Sequence, residues 1–235
     1  MIEVSGLTAG YGNKQVISRF SFFLEASQSP LVLAGSNGSG KSTLLRCLLN
    51  QISYQGAIQM PSDPNGIAWL PQGYSLPIDI PVSDFVALAG LHPSRPWSQP
   101  GKAETDRAVA QLKELEMDHL AFKRTDELSG GEWQMVCLAQ MAMQGSEIWL
   151  LDEPTAHLDL YFKNLVFHYL WKKSAEGKCI ILSTHDIPFL PEKGGKFLLM
   201  DNQTMPDINP ETKKMVADRL RSGQKTNQVS DRTVF

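Results

Sequence analysis

A glycine-rich segment decides the fold class of this chain: Gly35-Ser36-Asn37-Gly38-Ser39-Gly40-Lys41-Ser42. Its spacing fits GxxxxGK followed by Ser or Thr, which is the pattern of a phosphate-binding loop. The apolar run Leu31–Ala34 before it predicts a buried strand, and the residues after Lys41 have a helical pattern. The segment therefore joins a strand to a helix, which is the context in which such a loop binds phosphate.

The residue types of this loop suit the binding of ATP with Mg²⁺. Glycines let consecutive backbone N–H groups turn toward phosphate oxygens, and the following helix adds its positive N-terminal end. Lys41 would supply a positive charge to the β and γ phosphates, and Ser42 a hydroxyl ligand for Mg²⁺, supported by Thr43. A chance glycine-rich turn is the alternative interpretation, which the flanking strand and helix disfavour.

A second apolar strand, predicted over residues 147–151, leads into two carboxylates, Asp152 and Glu153. Asp152 at the strand end would hold Mg²⁺ directly or through a water. Glu153 would be aimed differently, so it could polarise the attacking water as a general base. The alternative for this pair alone is a solvated turn at a sheet edge.

The composition excludes several classes of protein. The 235 residues carry 22 Lys and Arg against 25 Asp and Glu, a net charge of -3, so we expect no nucleic-acid partner. Cys47, Cys137 and Cys179 are far apart and form no CxxC pair, which favours buried thiols over a metal site. The first residues lack a secretory signal pattern, and the apolar runs are far below the roughly 20 residues of a membrane span.

Strand and helix patterns alternate along the chain. Further strands are predicted at residues 2–4, 20–24, Ile67–Leu70, 178–183 and 196–200, and helices at residues 83–89, 104–115 and 210–221. Interleaved strands and helices indicate an α/β fold with a mostly parallel sheet. We expect one domain over residues 1–205, with a core of 1–71 and 145–205 and a helical insertion at 72–144. Residues 206–235 would be a polar extension, partly helical, with a mobile last dozen residues.

The segment Leu128-Ser129-Gly130-Gly131-Glu132 precedes another helical pattern. Ser129 and Glu132 are spaced for a capping box, which explains those two residues. Each glycine in a first helical turn costs about 1 kcal/mol relative to alanine, so helix formation does not explain Gly130 and Gly131. Bare backbone suits an anion that approaches closely, so the chain is predicted to hold two phosphate-binding helix ends.

Taken together, these segments resemble the ATP-binding subunits of ABC transporters, over residues 2–201. GSNGSGKST at 35–43 resembles the family's Walker A, LSGGE at 128–132 its signature motif, and IWLLDE at 148–153 its Walker B. The resemblance implies a P-loop NTPase fold of ABC type. That fold has a mostly parallel core sheet, a small N-terminal antiparallel β part and an inserted helical subdomain.

The resemblance also implies roles for four further residues. Tyr11 would stack on adenine, and Gln72 would sense Mg²⁺ and the γ-phosphate. Asp159 lies in a segment similar to the D-loop, and His185 resembles the switch histidine that contacts the γ-phosphate. Taken singly, Tyr11 and His185 could be packing residues and Gln72 a polar loop residue.

Assembly is implied in the same way. Two subunits would pair head to tail, as a homodimer, with each ATP between residues 35–42 of one copy and 128–132 of the other. Separate transmembrane permease subunits would dock near Gln72 and the residues after it, and a separate substrate-binding protein would deliver the cargo. The chain would therefore be cytoplasmic and peripheral on the inner face of the plasma membrane.

Three segments, at residues 82–97, 126–132 and 154–159, are similar to importer ATPases for iron-siderophore, haem and cobalamin complexes. Zinc and manganese importer ATPases are the nearest alternative. A soluble ABC-type ATPase acting on nucleic acid, ribosomes or protein assembly is a further one. It is disfavoured because the chain lacks tandem cassettes, a long coiled-coil insertion and iron-sulfur cysteines.

The sequence departs from the family pattern at four positions. Trp133, Met135 and Gln140 stand where the family usually has basic and glutamine-rich residues and an Ala-Arg pair. We expect weaker salt-bridge support around the signature helix. Pro188 interrupts a segment that is commonly helical in the family.

Overall fold

The computed structural model describes residues 1–61, 66–73, 79–91, 99–201 and 204–230. In chain order the elements are β1 (Ile2–Tyr11), β2 (Lys14–Leu24), β3 (Leu31–Ala34), α1 (Lys41–Leu48), β4 (Tyr54–Gln59), β5 (Ile67–Leu70), α2 (Val82–Leu88), α3 (Lys102–Glu114), α4 (Gly130–Met143), β6 (Ile148–Asp152), α5 (Leu160–Ala175), β7 (Cys179–Ser183), β8 (Lys196–Leu199) and α6 (Pro210–Ser230). They form two sheets with helices around them, which makes this an α/β fold.

The first sheet is antiparallel, with the order β2-β1-β4. β1 and β2 form a hairpin whose turn, Gly12-Asn13, carries the turn residues seen in the sequence. The strands are much longer than the predicted residues 2–4 and 20–24, because register shifts interrupt the alternation of apolar residues that a strand prediction follows.

The second sheet is parallel, with the order β5-β6-β7-β3-β8. Every residue of β3, β6 and β7 is buried, as expected for strands covered on both faces. The carboxyl ends of parallel strands meet at one edge, and the loops after β3, β6 and β7 therefore lie together. All five strands coincide with predicted segments to within one residue at either end.

The helices differ more from the sequence predictions. α2, α3 and α4 pack on one another. In the sequence they lie between β5 and β6 of the parallel sheet. α5 was not predicted, and the predicted helix at 210–221 begins at Pro210 but continues to Ser230. That continuation enters the last dozen residues, for which we had expected mobility.

Some predicted features lie outside the described residues. They are residues 92–97 of the importer-like segment, residues 74–78 of the expected permease docking region, and residues 231–235. Among the helices that the structure describes, none combines the length and apolar character needed to cross a membrane. The three cysteines are buried thiols.

Candidate nucleotide site

The loop between β3 and α1 wraps around the ammonium group of its own lysine. Lys41 Nζ donates to the carbonyl oxygens of Gly35 and Ser36 at 2.9 and 3.1 Å. Gly38 and Gly40 have φ angles of 78° and 100°, a left-handed conformation that favours glycine. A Cβ on Gly40 would also lie 2.9 Å from the side chain of Ile17, so the loop sits tightly on β2.

The first turn of α1 brings the remaining loop residues to the site. Gly40 is the residue before the helix, which leaves the first backbone N–H groups of α1 without a side-chain cap. Ser42 lines the adjoining cleft, and Thr43 is buried beside it. Ser39 Oγ is buried and has no hydrogen-bond partner among the described residues, so a polar ligand there would satisfy it.

The acidic pair is held by a residue that the sequence analysis missed. Ser183 ends β7 in parallel register with Asp152, and its Oγ donates to Asp152 Oδ1 at 2.6 Å. The backbone N–H of Glu153 donates to the same hydroxyl at 2.9 Å. Glu153 has a φ of +50°, a strained conformation for a residue with a side chain. The available signal was that Ser183 shares a short segment with His185.

Glu153 and His185 are in direct contact. The His185 backbone N–H donates to Glu153 Oε2 at 3.2 Å. His185 Nε2 lies 3.1 Å from Glu153 Oε1, but the geometry is not that of a hydrogen bond. Glu153 Oε1 is thus a buried acceptor with no hydrogen-bond donor among the described residues. A water or a phosphate-bound hydroxyl would fit this position.

Burial controls the ionisation of these groups. Burial raises the pKa of Glu153 to about 7, although the positive charge of Lys41 opposes this shift. Burial also lowers the pKa of Lys41, against the attraction of Glu153 and Asp152. The pKa of His185 is lowered by burial and then by Lys41, which keeps the imidazole neutral at pH 7. A carboxyl group with a pKa near 7 is suited to act as a general base at neutral pH.

A cleft of about 750 Å³ brings most of the predicted residues together. Its predicted lining residues are Tyr11, Asn37, Gly38, Gly40, Lys41, Ser42, Thr43, Gln72, Glu153 and His185. Six further residues line it, to none of which the sequence analysis gave a role of its own: Lys14, Gln15 and Val16, Ala156 and His157 of the D-loop-like segment, and Asp186. The first three reach the cleft through the long β1–β2 hairpin, for which the short predicted strands gave no signal.

Tyr11 stands at the rim of this cleft. Its side chain is 45% exposed, and its hydroxyl accepts a hydrogen bond from Arg46 Nη1 at 3.2 Å. An exposed ring fixed at its hydroxyl end can stack on a planar base. Gln72, just after β5, is exposed and also lines the cleft.

Eight predicted residues do not line the cleft: Gly35, Ser36, Ser39, Asp152, Ser129, Gly130, Gly131 and Asp159. The first four belong to the loop and the acidic pair described above, and the other four stand at the starts of α4 and α5. Asp159 caps α5, since its Oδ1 accepts from the Phe162 N–H at 3.0 Å. Ser129 caps α4 in the predicted capping box, in which its N–H donates to Glu132 Oε2 at 2.8 Å. In a single copy, Ser129 and Asp159 are therefore helix caps rather than parts of the cleft.

The two glycines of the signature segment, Gly130 and Gly131, differ in the space around them. A Cβ on Gly131 would lie 2.7 Å from the Phe162 ring, so packing of α4 against α5 explains this glycine. Our expectation that both glycines serve an approaching anion was therefore incomplete. A Cβ on Gly130 would meet nothing within 4 Å, so internal packing does not explain that residue.

Three of the four departures from the family pattern lie on α4 and make contacts of their own. Trp133 packs on Phe85 of α2, with ring centroids 5.0 Å apart. Gln140 Nε2 donates to the Phe85 carbonyl oxygen at 3.1 Å, and Met135 is buried. α4 is thus attached to α2 by an aromatic contact and a hydrogen bond.

The donor set fits a nucleotide with Mg²⁺. Ser42 and Asp152 offer the oxygen ligands that Mg²⁺ prefers, and such sites are usually completed by substrate phosphates and water. Within the described parts of the chain, no group of three or more His, Cys, Asp or Glu side chains could hold a metal by itself. A metal that arrives with phosphate is consistent with this small protein contribution.

Comparisons with known proteins identify the family of this chain. A family model described as ABC transporter matches residues 18–156, more than half of the chain. The chain is 33% identical to the manganese transport system ATP-binding protein of Listeria monocytogenes, covering 79% of this chain and 80% of that protein. It is 28% identical to the hemin import ATP-binding protein of Idiomarina loihiensis, covering 90% of this chain and 86% of that protein.

A solved structure of an ABC transporter shares this fold. An inward-facing structure described as a metal-chelate type ABC transporter matches with a TM-score of 0.76 and 26% identity, over 92% of this chain and 87% of that chain. The chain therefore belongs to the ABC transporter family, as an ATP-binding subunit of the kind that hydrolyses ATP.

Proposed function

We propose that this chain is the ATP-hydrolysing motor subunit of an importer that acts through separate membrane subunits. The observation that carries the proposal is the cleft in which Lys41, Glu153 and His185 meet. A buried cation, a carboxyl group with a pKa of about 7 and a neutral imidazole around one space are the groups that phosphoryl transfer to water needs.

In this proposal the loop residues Gly35, Ser36, Asn37, Gly38, Ser39, Gly40, Lys41, Ser42 and Thr43 bind the phosphates of ATP. Ser42, Gln72 and Asp152 hold Mg²⁺, which neutralises phosphate charge when bound. Glu153 accepts a proton from the water that attacks the γ-phosphorus, and ADP leaves as the bond to its β-phosphate oxygen breaks. His185 orients this water and contacts the γ-phosphate, while Tyr11 stacks on the base.

A second copy is needed to complete the site. Ser129 and Gly130 lie at a helix N-terminus outside the cleft, and nothing within 4 Å of the Gly130 Cβ position explains that glycine. We infer that this helix end, together with Asp159 at the start of α5, approaches ATP held by another copy in a head-to-tail homodimer. Closure on ATP and opening after hydrolysis would then drive the membrane subunits.

The proposed cargo is a transition metal, taken up as a chelate. The importer-like segments favour an iron-siderophore, haem or cobalamin complex, and the hemin and metal-chelate relatives support this class. Uptake of zinc or manganese is the alternative, which the manganese relative supports. The inferred location is the inner face of the plasma membrane, with a separate substrate-binding protein.

Metal accumulation in the native host tests the proposal. A strain lacking the gene is complemented with the parent chain or with Glu153→Gln, which keeps the protein but removes the general base. Cellular iron, manganese and zinc are measured by mass spectrometry with haem, a ferric siderophore or free metal salts supplied. We expect only the parent chain to restore iron from a chelate. Restoration of manganese or zinc alone would select the alternative cargo.

Recovery of the tagged chain from detergent-solubilised membranes tests the partner. A polytopic membrane protein should remain bound and be identified by mass spectrometry. If the complementing chain changes no metal and retains only soluble proteins, the chain is instead an ABC-type ATPase that is not coupled to transport.

A further inference from the structure

His185 belongs to the walls of two clefts. One is the nucleotide cleft described above. The other, of about 200 Å³, is lined by His185, Ile187, Pro188 and three residues of α6. The C-terminal helix therefore reaches the segment that carries the proposed γ-phosphate contact.

This switch segment, residues 185–190, is short and irregular. His185 is followed by a single 3-10 turn, Ile187–Phe189, and the chain leaves the turn in an extended conformation at Leu190. Pro188 fits inside the turn because its missing N–H is not needed there. Because the helix does not continue, the carbonyl oxygens at its end lack the backbone donors that a longer helix would provide.

One lysine of α6 supplies this missing donor. Lys213 Nζ donates to the Pro188 carbonyl oxygen at 3.2 Å and also to the Leu190 carbonyl oxygen. These two carbonyls flank Phe189 on either side. A single ammonium group thus spans the end of the switch segment, and its hydrogen bonds are charge-assisted.

The packing around Lys213 keeps α6 in place. Val216, Ala217 and Leu220 follow Lys213 at helical spacing, so the four residues share one face of α6. Val216 is 1% exposed and belongs to the same apolar cluster as Ile187 and Leu190 of the switch segment, against which Ala217 and Leu220 also pack. The face is therefore apolar except for Lys213, which lies where the carbonyls need a donor.

The other side of the switch segment is held independently of α6. Lys163 of α5 pairs with Asp186 Oδ1 at 2.6 Å, and Thr155 Oγ1 donates to Asp186 Oδ2 at 2.7 Å. The start of the segment is therefore fixed from the core. Its end is fixed from α6 by Lys213, so His185 lies in a segment held from both sides.

We propose that Lys213 is a positioning residue for ATP hydrolysis, which acts through the switch segment to hold His185 in place. This inference rests on the proposed function, since it concerns the same γ-phosphate contact. Lys213 touches neither the nucleotide cleft nor Glu153, and its removal should leave ATP binding intact. The polar C-terminal extension is then part of the catalytic apparatus rather than an appendage.

Steady-state hydrolysis of Mg-ATP by the parent chain, purified with any subunits it retains, tests the proposal. Lys213→Met keeps the length and apolar stem but removes the donor. We expect kcat to fall about tenfold, because small errors in the position of a catalytic group are costly, while KM changes less than about twofold. Lys213→Arg should recover kcat to within about threefold of the parent, since it restores a cationic donor.

Lys214→Met is the matched control, because it removes the same charge from the exposed neighbour on the same helix. We expect it to behave like the parent. Equal kcat for Lys213→Met and Lys214→Met, or a loss in Lys213→Met that Lys213→Arg does not recover, would overturn the proposal. Absence of turnover in the parent chain would instead refute the proposed function.

Discussion

The chain has two glycine-rich helix ends that differ in what surrounds them. The loop before α1 holds a buried lysine and opens into a cleft with Glu153 and His185. The segment before α4 has no lysine, and its N-terminus is partly satisfied by its own Glu132. The first helix end lines a cleft within one copy. In the proposed function the second contributes to an anion that another copy holds, so the difference between them predicts a site shared by two copies.

The largest expected effect is on ATP hydrolysis in the cleft beside the first helix end. Glu153→Gln removes the proposed general base with almost no change in shape, so turnover should fall about 100-fold or more. ATP binding should stay within about twofold of the parent, because Glu153 is not among the phosphate ligands. Phosphate release and equilibrium nucleotide binding measure the two quantities. Comparable turnover in variant and parent would remove Glu153 from the role of base.

The next effect concerns affinity. Lys41→Ala should weaken ATP binding about 10- to 100-fold, since a charge-assisted contact to phosphate contributes about 1.5–3 kcal/mol. Lys102→Ala removes an equal charge from the exposed first turn of α3 and serves as control. Titration with a fluorescent ATP analogue measures both affinities. Equal affinities would mean that the loop does not bind phosphate through its lysine.

Ionisation of Glu153 makes stability depend on pH. Its ordinary pKa of 4.5 rises to about 7 in the folded chain, so the folded state holds this proton more tightly than the unfolded state does. The group therefore stabilises the fold at low pH, and this contribution is lost as the pH rises from about 4.5 to 7. Glu153→Gln should gain about 2 kcal/mol over the parent between pH 5 and pH 8, in nucleotide-free denaturant melts. A constant difference across this range would show that the pKa is not raised.

The smallest expected effects separate the two glycines of the second helix end. Gly131→Ala should lower the free energy of unfolding by about 1–2 kcal/mol, because the new methyl group would meet the Phe162 ring. Gly130→Ala should raise it by up to about 1 kcal/mol, because alanine favours the helix and nothing is crowded. Gly130→Ala should also slow ATP turnover, because Gly130 is the glycine proposed to approach the anion. Chemical unfolding and phosphate release give both results, and reversed stability effects would contradict the packing argument.

How much the sequence could predict follows from how local each signal is. The loop at residues 35–42 and the strands of the parallel sheet were predicted closely, because continuous apolar runs bounded by glycine are local patterns. β4 was missed, since it is a half-exposed strand with Gly56 in its interior. A Cβ on Gly56 would lie 2.6 Å from the Ser5 carbonyl oxygen, so that glycine serves a contact with β1 that no local pattern reveals.

α5 was missed for a related reason. Val166, Phe167 and Leu170 form a buried face, but the exposed Leu160 and Tyr161 place further apolar residues away from it. A helix with apolar residues on several faces lacks the single stripe by which amphipathic helices are found. Ser183, Lys163 and Lys213 were also missed as site residues, because their partners are distant in sequence and only the fold brings them together.

The most direct test of the central claim is the mass of the Glu153→Gln protein in solution with Mg-ATP, measured by light scattering after gel filtration. The claim is that the helix end at Ser129 completes a site in another copy. We expect a dimer with Mg-ATP and a monomer without it, and we expect the added Ser129→Arg substitution to keep the protein monomeric while it still binds ATP. A Glu153→Gln protein that stays monomeric at saturating Mg-ATP, or a dimer that Ser129→Arg leaves intact, would contradict the account.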